Sequence, residues 1–487
     1  MATRYWVGGS GTWDNVSTAN WAATSGGASG ASAPTNVDTA VFDSNSGTSA
    51  TVTVAATAVS LSTTVNKSDI NLSLSGSPTL CTTAGTFTLT AGTLTLNSNT
   101  LSVGIMSSNN ANTRTIAFGT GKINVTGNNA TVWQFNNITN FAYTGTSNVE
   151  FSYSGGTGTR TLEHGATGRT EARAVNWTFT AGSDTTDFVN SPACLNLTYQ
   201  SGFSGVGDIP RYIYGNLELS TNQTVATGST VIREFLKTGG TQTLHPRGKS
   251  IDRNFTISGT ATVQLLSDLV LVGTTSGNGT LTITTGGFDA NSYAVTVLIV
   301  SSSGTGTRTI TMGSGLWTLT SVGTVWNLAT TTNLTFNKNT ANIILSSTSG
   351  FSRTFAGGGL TYNKLTIGGT TGTSTLTFTG SNTFSEIAST KAVAHTMTFT
   401  AGTTTTVTTW SVSGTSGNVV TLGSTTTSAF TLAKAGGGAV SSDYLSISYS
   451  TATPGSTWYA GSNSTNGGNN SGWIFSALSG GNFLALF

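Results

Sequence analysis

The stretch that decides the fold is residues 86–103, TFTLTAGTLTLNSNTLSV. An apolar–polar–apolar unit recurs in it every seven residues, beginning at Phe87, Leu94 and Leu101. Apolar side chains two residues apart share one face of a strand, whereas a helical heptad would space them three and four apart. The residues between the units, AG and NSN, predict turns. We therefore predict one triangular coil of about 21 residues made of three strands, with coils paired at ~4.8 Å around a continuous core.

The same pattern returns further along the chain at a nearly constant offset. At seven positions, including one tryptophan and two arginines, the same residue occurs again 193 or 194 positions later. An offset held over about 75 residues indicates an internal duplication, in which each copy is a stack of coils or a β-rich domain. The matched pairs are Gly92 with Gly286, Asn97 with Asn291, Val103 with Val297, Arg114 with Arg308, Val132 with Val325, Trp133 with Trp326, and Arg160 with Arg353.

These patterns predict an all-β fold. It is either a β-solenoid resembling a parallel β-helix or a set of stacked β-sandwich modules, with a duplicated core. About 400 residues of solenoid would make about 19 coils, a stalk of roughly 90 Å. We divide the chain into an N-terminal Trp-rich capping segment (1–79), a first β repeat (80–190), a charge-rich connector (191–273), a second β repeat (274–400) and a C-terminal β module (401–487).

The composition argues against several classes of protein. Charged side chains make up 7% of the 487 residues, against roughly 25% in an ordinary soluble domain. The net charge of +2 and the 36% of hydrophobic residues argue against disorder. The 62 glycines have no three-residue period and only 6 prolines accompany them, which excludes collagen. Without a basic stripe, we expect no nucleic-acid partner.

Half of the charged residues are concentrated in residues 150–253, which hold nine basic and nine acidic side chains. Mixed signs are typical of a solvated face or a contact between subunits rather than of a site for a polyanion. Three interpretations stay open from the sequence: insertions on one side of the solenoid, salt bridges between subunits, and a ligand site.

Both ends of the chain contain aromatic motifs. The N-terminal segment has WVGGSGTWD at 6–14, NW at 20–21 and PTNVDTAVF at 34–42, and its three tryptophans predict a cap on the open end of a solenoid. It resembles the opening module of autotransporter-type adhesins and of many structural proteins of tailed bacteriophages. The C-terminal segment YAGSNSTNGGNNSGW at 459–473 resembles a motif near the ends of phage virion proteins. There, Asn and Gly predict left-handed turns, and Trp473 is expected to close the last packed layer.

The resemblance implies a structural component of a bacteriophage virion: a fibre, spike or surface appendage that serves particle architecture and host attachment. The alternatives are a capsid decoration protein, a bacterial surface adhesin and a polysaccharide depolymerase. The N-terminus shows no apolar stretch of a secretory signal, so we favour a virion protein assembled in the host cytoplasm over an adhesin. We expect a homotrimer that contacts other virion proteins and a host-surface glycan, without membrane insertion. The apolar tail at 480–487 would dock in the trimer axis or on another protein.

Residues that could perform catalysis are few, and we expect no enzyme, cofactor or metal site. Hydrolysis of a glycan needs two carboxyl groups about 5–9.5 Å apart. The candidates are Asp184 and Asp187, predicted on one turn, with Glu163, His164 and Glu171 nearby; each is more simply a turn or surface residue.

Histidine, cysteine and tryptophan give no stronger signal of a site. His164, His245 and His395 lack the spacing of zinc ligands. Cys81 and Cys194 are 113 residues apart and are predicted to be buried free thiols. Sugars could stack on exposed aromatics, but the equivalence of Trp133 and Trp326 in the two copies favours the core.

Overall fold

Alternating apolar and polar residues form strands along the chain, as predicted. In the computed structural model 48% of the residues are in strands and 1% are helical, and the strands form a parallel β-solenoid of about 18 turns. The structure describes residues 1–81, 84–156, 158–165, 170–228, 230–274, 277–347, 350–369, 372 and 374–478. No helix in these ranges is long and apolar enough to cross a membrane. The predicted apolar tail at 480–487 and Arg169 lie outside them.

Fifty-one short strands and one 3₁₀ turn, Glu171–Arg173, make up the described secondary structure. The first strands in chain order are β1 (Thr3–Trp6), β2 (Gly11–Trp13), β3 (Trp21–Ala22), β4 (Thr39–Phe42), β5 (Thr51–Val54), β6 (Ser62–Leu74), β7 (Thr86–Thr95), β8 (Thr100–Val103), β9 (Ile105–Ser107), β10 (Arg114–Gly119), β11 (Lys122–Val125), β12 (Thr131–Phe135), β13 (Phe141–Gly145), β14 (Asn148–Phe151), β15 (Thr159–His164), β16 (Val175–Phe179), β17 (Thr185–Val189), β18 (Ala193–Tyr199), β19 (Val206–Gly207), β20 (Tyr212–Ile213), β21 (Leu217–Glu218), β22 (Thr224–Val225), β23 (Arg233–Phe235) and β24 (Thr241–His245). The remaining strands are β25 (Ser250–Ile251), β26 (Phe255–Ile257), β27 (Thr262–Leu265), β28 (Leu269–Leu271), β29 (Thr280–Ile283), β30 (Gly286–Asp289), β31 (Val295–Val297), β32 (Ile299–Ser301), β33 (Arg308–Thr311), β34 (Leu316–Leu319), β35 (Gly323–Asn327), β36 (Leu334–Asn337), β37 (Asn342–Leu345), β38 (Arg353–Ala356), β39 (Thr361–Ile367), β40 (Thr375–Thr379), β41 (Thr383–Ser389), β42 (His395–Phe399), β43 (Thr404–Ser411), β44 (Val420–Ser424), β45 (Phe430–Lys434), β46 (Val440–Ser441), β47 (Leu445–Ile447), β48 (Ser450–Thr453), β49 (Trp458–Tyr459), β50 (Thr465–Asn466) and β51 (Trp473–Ile474).

The stretch at 86–103 forms three sides of one coil, as predicted. The first half of β7 pairs in parallel with β9, its second half with β10, and β8 with β11. The predicted turn at 91–92 does not interrupt β7. Instead Gly92, at φ +94°, lets the strand bend around the corner, and a Cβ there would lie 2.5 Å from the Lys67 carbonyl oxygen. The coils are also less regular than about 21 residues, since Thr86 pairs with Ile105 but Trp133 with Leu162, 19 and 29 residues on.

Inward side chains of successive coils stack into ladders, which is where the stability of a solenoid resides. In one ladder Phe151, Phe179 and Tyr199 lie with ring centroids 4.8 and 4.7 Å apart. In another, Phe378 and Phe399 lie 4.7 Å apart, and Phe399 and Phe430 lie 4.6 Å apart. These separations follow from the spacing between paired strands, which is about 4.8 Å.

The chain divides into two compact units. One comprises 1–226, 233–237 and 242–249, and the other 227–232, 238–241 and 250–487. In the first unit the coil sides that follow β7 and β8 are β9, β12, β15 and β17 on one side and β11, β14, β16 and β18 on another. In the second, one side is β29, β32, β35, β38, β40 and β42, and another is β31, β34, β37, β39, β41 and β43.

The duplicated residues make equivalent contacts within their own units. Arg114 and Arg308 are both fully buried and donate to three equivalent backbone carbonyls each, and Arg308 also donates to a fourth, that of Gly306. The equivalent acceptors are Ser108, Asn137 and Thr139 for Arg114, and Ser302, Thr330 and Thr332 for Arg308, which are again 193 or 194 residues apart. Trp133 and Trp326 are both buried in the core. The repeat in the sequence is therefore a repeat of coils with the same internal contacts.

The N-terminal motif packs on itself at the first coil. Trp6, Trp13 and Trp21 are fully buried, and Trp21 lies 5.2 and 5.5 Å from the other two rings. A Cβ on Gly8 would lie 1.6 Å from the amide nitrogen of Asn20. The Asn20 side chain of the NW motif therefore occupies the space that a side chain at Gly8 of the WVGG motif would need.

The C-terminal motif packs in the same manner on the last described strands. Trp473 lies 5.2 Å from the buried Trp458, and its indole nitrogen donates to the Ser450 hydroxyl at 3.0 Å. Asn469 and Gly472 have φ of 57° and 77°, the left-handed turns that the sequence predicts. Trp473 therefore closes a packed layer of aromatic side chains.

Candidate functional site

A polar groove runs over several coils on the outer surface of β11, β14, β16 and β18 in the first unit. It consists of a recess of about 390 Å³ and a second of about 360 Å³, which share Gln200. The side chains that define this polar groove are Thr100, Lys122, Asn148, Glu150, Thr178, Thr198, Gln200, Glu218, Thr221 and Arg247. The strands place them there because every second residue of a strand points outward.

A ladder of asparagines, which we call the amide ladder, runs beside and partly within the polar groove. The Asn176 amide donates to Asn148 at 2.9 Å, and Asn196 donates to Asn176 at 2.7 Å. The Asn196 oxygen in turn accepts from the backbone of Asn216 at 2.6 Å. Each amide has two N–H donors and two acceptor lone pairs, so a ladder bond leaves further hydrogen-bonding capacity directed outward.

Charges in the polar groove are neutralised by partners within the chain. Lys122 is 2.8 Å from Glu150, and Arg247 forms an ion pair with Glu218. Between these two pairs the groove presents amides and hydroxyls with little net charge. Such a surface is suited to a neutral, hydroxyl-rich ligand, which can exchange hydrogen bonds without the loss of a charged group's hydration.

The charge-rich stretch at 150–253 forms ion pairs between neighbouring coils rather than a simply solvated face. Arg160 is 2.8 Å from Asp184 and both are buried, while Arg211 is 2.9 Å from Glu234. The partners are 24 and 23 residues apart, about one coil, so opposite charges lie on adjacent coils. These pairs lie inside one chain, a feature that the sequence interpretations did not include; the insertion, inter-subunit and ligand-site interpretations stay predictions.

The structure separates the two aspartates that the sequence places on one turn. Asp184 precedes β17 and is paired with Arg160, whereas Asp187 lies within β17 and is exposed. Because Thr185 pairs with Val206, Asp187 comes to lie in register with Asp208 of the next coil. Partial loss of hydration within the coil and, secondarily, the Asp208 charge raise the pKa of Asp187. Asp208 also lies 3.2 Å from Arg233, with which it forms an ion pair.

Glu163 and the histidines are placed apart from this aspartate pair. Glu163 accepts from the Asn136 amide at 2.7 Å, and Glu171 opens the short 3₁₀ turn. His164 is buried against Trp133, and burial lowers its pKa to about 4. His245 lies 3.7 Å from Glu218. In the described ranges, no group of three or more His, Cys, Asp or Glu side chains could hold a metal ion.

Both cysteines are buried free thiols, as predicted. Burial raises the pKa of Cys81 to about 11, so the thiol stays protonated.

The sequence interpretation missed the amide ladder, although the spacings of 28 and 20 residues between Asn148, Asn176 and Asn196 match the coil length.

No family model matches the chain, and no curated protein or solved structure matches it either.

Proposed function

We propose that the chain is a structural component of a tailed-bacteriophage virion, a fibre, spike or surface appendage that attaches the particle to a neutral host-surface glycan. The observation that carries the proposal is the combination, in one solenoid, of terminal motifs packed into aromatic layers and a polar groove whose charges are paired within the chain. A stack of coils held by backbone pairing and core ladders suits a durable particle component.

The proposed binding mode follows from the spacing of the amide ladder. Strands repeat at about 4.8 Å, so the groove offers hydrogen-bonding groups at a regular interval along several coils. A polymer of sugar units presents hydroxyls at regular intervals too, and many weak contacts add up to attachment without a deep pocket. We further propose a homotrimer, in which three copies of the groove increase avidity.

The first experiment measures assembly and attachment on the same sample. Light scattering on size-exclusion fractions should give a mass near three times 49.5 kDa. The same fraction is tested against a panel of neutral and acidic bacterial surface polysaccharides, with electron micrographs of phage particles labelled by antibody. A monomer that labels heads rather than tails would indicate a decoration protein, and loss of polymer length on incubation would indicate a depolymerase.

Variants of the amide ladder test whether the groove binds the glycan. Asn148→Leu, which removes the ladder amide that lines the groove, and Asn176→Leu, which removes the donor to Asn148, should each weaken glycan binding at least fivefold and leave the mass of the assembly unchanged. A matched control is Asn363→Leu, because Asn363 donates to Asn342 at 2.7 Å in the second unit, away from the groove. Equal affinities in all three variants would reject the groove as the binding site.

A further inference from the structure

A second site follows from one difference between the duplicated copies. Arg160 in the first copy and Arg353 in the second are both buried, and each lies opposite a residue of the next coil, Thr186 for Arg160 and Leu376 for Arg353. Asp184 lies two residues before Thr186, and Ser374 lies two residues before Leu376. The carboxylate of the first copy is therefore replaced by a hydroxyl in the second.

The replacement removes the negative charge beside the guanidinium. In the first copy, Nε of Arg160 is 2.8 Å from Asp184 Oδ2, and Nη2 donates to Oδ1 at 3.2 Å. In the second, Nη2 of Arg353 donates to Ser374 Oγ at 3.3 Å and Nη1 donates to the Leu345 carbonyl oxygen at 3.1 Å. Each guanidinium has one nitrogen without a hydrogen-bond partner among the described residues, Nη1 of Arg160 and Nε of Arg353, so the two copies differ in the lost counter-charge and not in the number of unpaired donors.

A second cation approaches the same hydroxyl. Nζ of Lys391 lies 3.3 Å from Ser374 Oγ, and Lys391 is 7% exposed. Burial and the charge of Arg353 lower the pKa of Lys391. Glu386 is the one acidic residue in the sequence between 290 and 442, and it pairs with Lys364 at 3.0 Å. Among the residues that the structure describes, no carboxylate therefore takes the place of Asp184.

A recess opens beside these groups. It has a volume of about 230 Å³ and is lined by Ser374, His395 and the outward threonines Thr375, Thr396 and Thr421. His395 has its own partners, since Nδ1 lies 2.9 Å from the Val393 carbonyl oxygen and Nε2 lies 2.9 Å from Ser389 Oγ. The recess joins solvent to the hydroxyl that both cations approach.

We propose that a small oxyanion of the phosphate or sulfate type binds in this recess against Ser374, with Arg353 and Lys391 supplying the positive charge. The anion takes the electrostatic role that Asp184 has in the first copy. Arg353 and Lys391 do not line the recess; they hold the Ser374 hydroxyl from behind, so their charges attract the anion across it while the hydroxyl donates to the anion. The threonine hydroxyls at the mouth of the recess would donate to its outer oxygens.

The test is a titration of the full chain with inorganic phosphate at constant ionic strength, followed by calorimetry and by hydrogen exchange of β40 and β42. Saturable binding with slower exchange in these two strands is expected. Ser374→Asp should weaken phosphate binding at least tenfold and should raise the melting temperature without phosphate, because it restores the pair of the first copy. Lys391→Met should also weaken binding at least tenfold.

The controls distinguish a site from the general effect of phosphate on protein stability, which acts by exclusion from the surface. Thr398→Val changes an outward hydroxyl of β42 that does not line the recess, and it should bind phosphate as the unchanged chain does. Non-saturable stabilisation that is equal in the unchanged chain and in Ser374→Asp would overturn the proposal, as would the absence of any heat of binding.

Discussion

Replacement of Arg308 by methionine is the most direct perturbation of the duplicated core. Its guanidinium donates to the carbonyl oxygens of Ser302, Thr330 and Thr332 at 2.5, 3.0 and 2.7 Å, and its Nε donates to the partly buried Gly306 carbonyl oxygen at 3.0 Å. Methionine fills much of the same volume but has no hydrogen-bond donor. The backbone carbonyls stay in place and lose their hydrogen bonds to the side chain. The Ser302 acceptor is buried, whereas the two threonine carbonyls are partly accessible to water. A buried acceptor left unpaired costs about 1–3 kcal/mol, so we expect a loss of about 3 kcal/mol in local stability.

Hydrogen exchange followed by mass spectrometry is the appropriate assay, because coils of a solenoid open locally rather than in one global step. A loss of about 3 kcal/mol corresponds to roughly hundredfold faster exchange in peptides that cover 328–336. Arg114→Met should accelerate exchange equally in the matching region of the first copy. Lys338→Met is the control, since Lys338 donates only to the neighbouring Asn339 carbonyl at 3.3 Å. If Arg308→Met exchanged no faster than this control, the reasoning about orphaned carbonyls would be refuted.

Three further predictions concern pH, cysteine chemistry and the N-terminal motif. Burial lowers the pKa of His164 from 6.5 to about 4, so as the pH falls the unfolded chain is protonated at this residue before the folded chain is. The free energy of unfolding should therefore decrease between pH 6.5 and pH 4, by up to about 3 kcal/mol, and His164→Phe should flatten that part of a stability–pH curve. Cys81, with a pKa raised to about 11, should not react with a thiol reagent until denaturant is added, and a fast reaction in the native state would contradict its burial. Gly8→Ala should lower the melting temperature more than Gly158→Ala, because a Cβ on Gly8 would lie 1.6 Å from the Asn20 side chain, whereas a Cβ on Gly158 meets nothing within 4 Å; equal shifts would show that the close approach to Asn20 is unimportant.

The solenoid could be predicted because its local and long-range signals agree. Phe87, Leu94 and Leu101 give both the strand period and the coil period, and the offset of 194 residues repeats both. The regular coil of about 21 residues was too simple, because corners such as Gly92 bend a strand without ending it, and loops of different length enter between strands. Loop length costs little free energy per added residue, so a solenoid tolerates that variation.

The candidate sites could not be predicted with the same success. Asn148, Asn176 and Asn196 are single residues in a chain rich in asparagine, and only the register of β14, β16 and β18 shows that they form a ladder. Similarly, Asp184 and Ser374 can be recognised as equivalent only from their position relative to two buried arginines. In both cases the information lies in pairings between coils, which neighbouring residues in the sequence do not contain.

The same pairings explain why so few residues are charged. An outward side chain in a parallel stack has neighbours about 4.8 Å above and below it at the same register position. Two like charges at that distance repel by about 3 kcal/mol at an effective dielectric constant of 20, and a long solenoid would repeat the penalty at every coil. Neutral residues such as Thr and Asn avoid the penalty, and opposite charges on adjacent coils reverse it. Three of the described ion pairs follow the second route: Lys122 with Glu150, Arg211 with Glu234 and Lys364 with Glu386 are 28, 23 and 22 residues apart, each about one coil. The low charge of the chain is therefore a consequence of its architecture. Arg353 departs from its equivalent in the first copy, because Arg160 has an anion on the adjacent coil and Arg353 has a hydroxyl there, and this is the position at which we propose a bound anion.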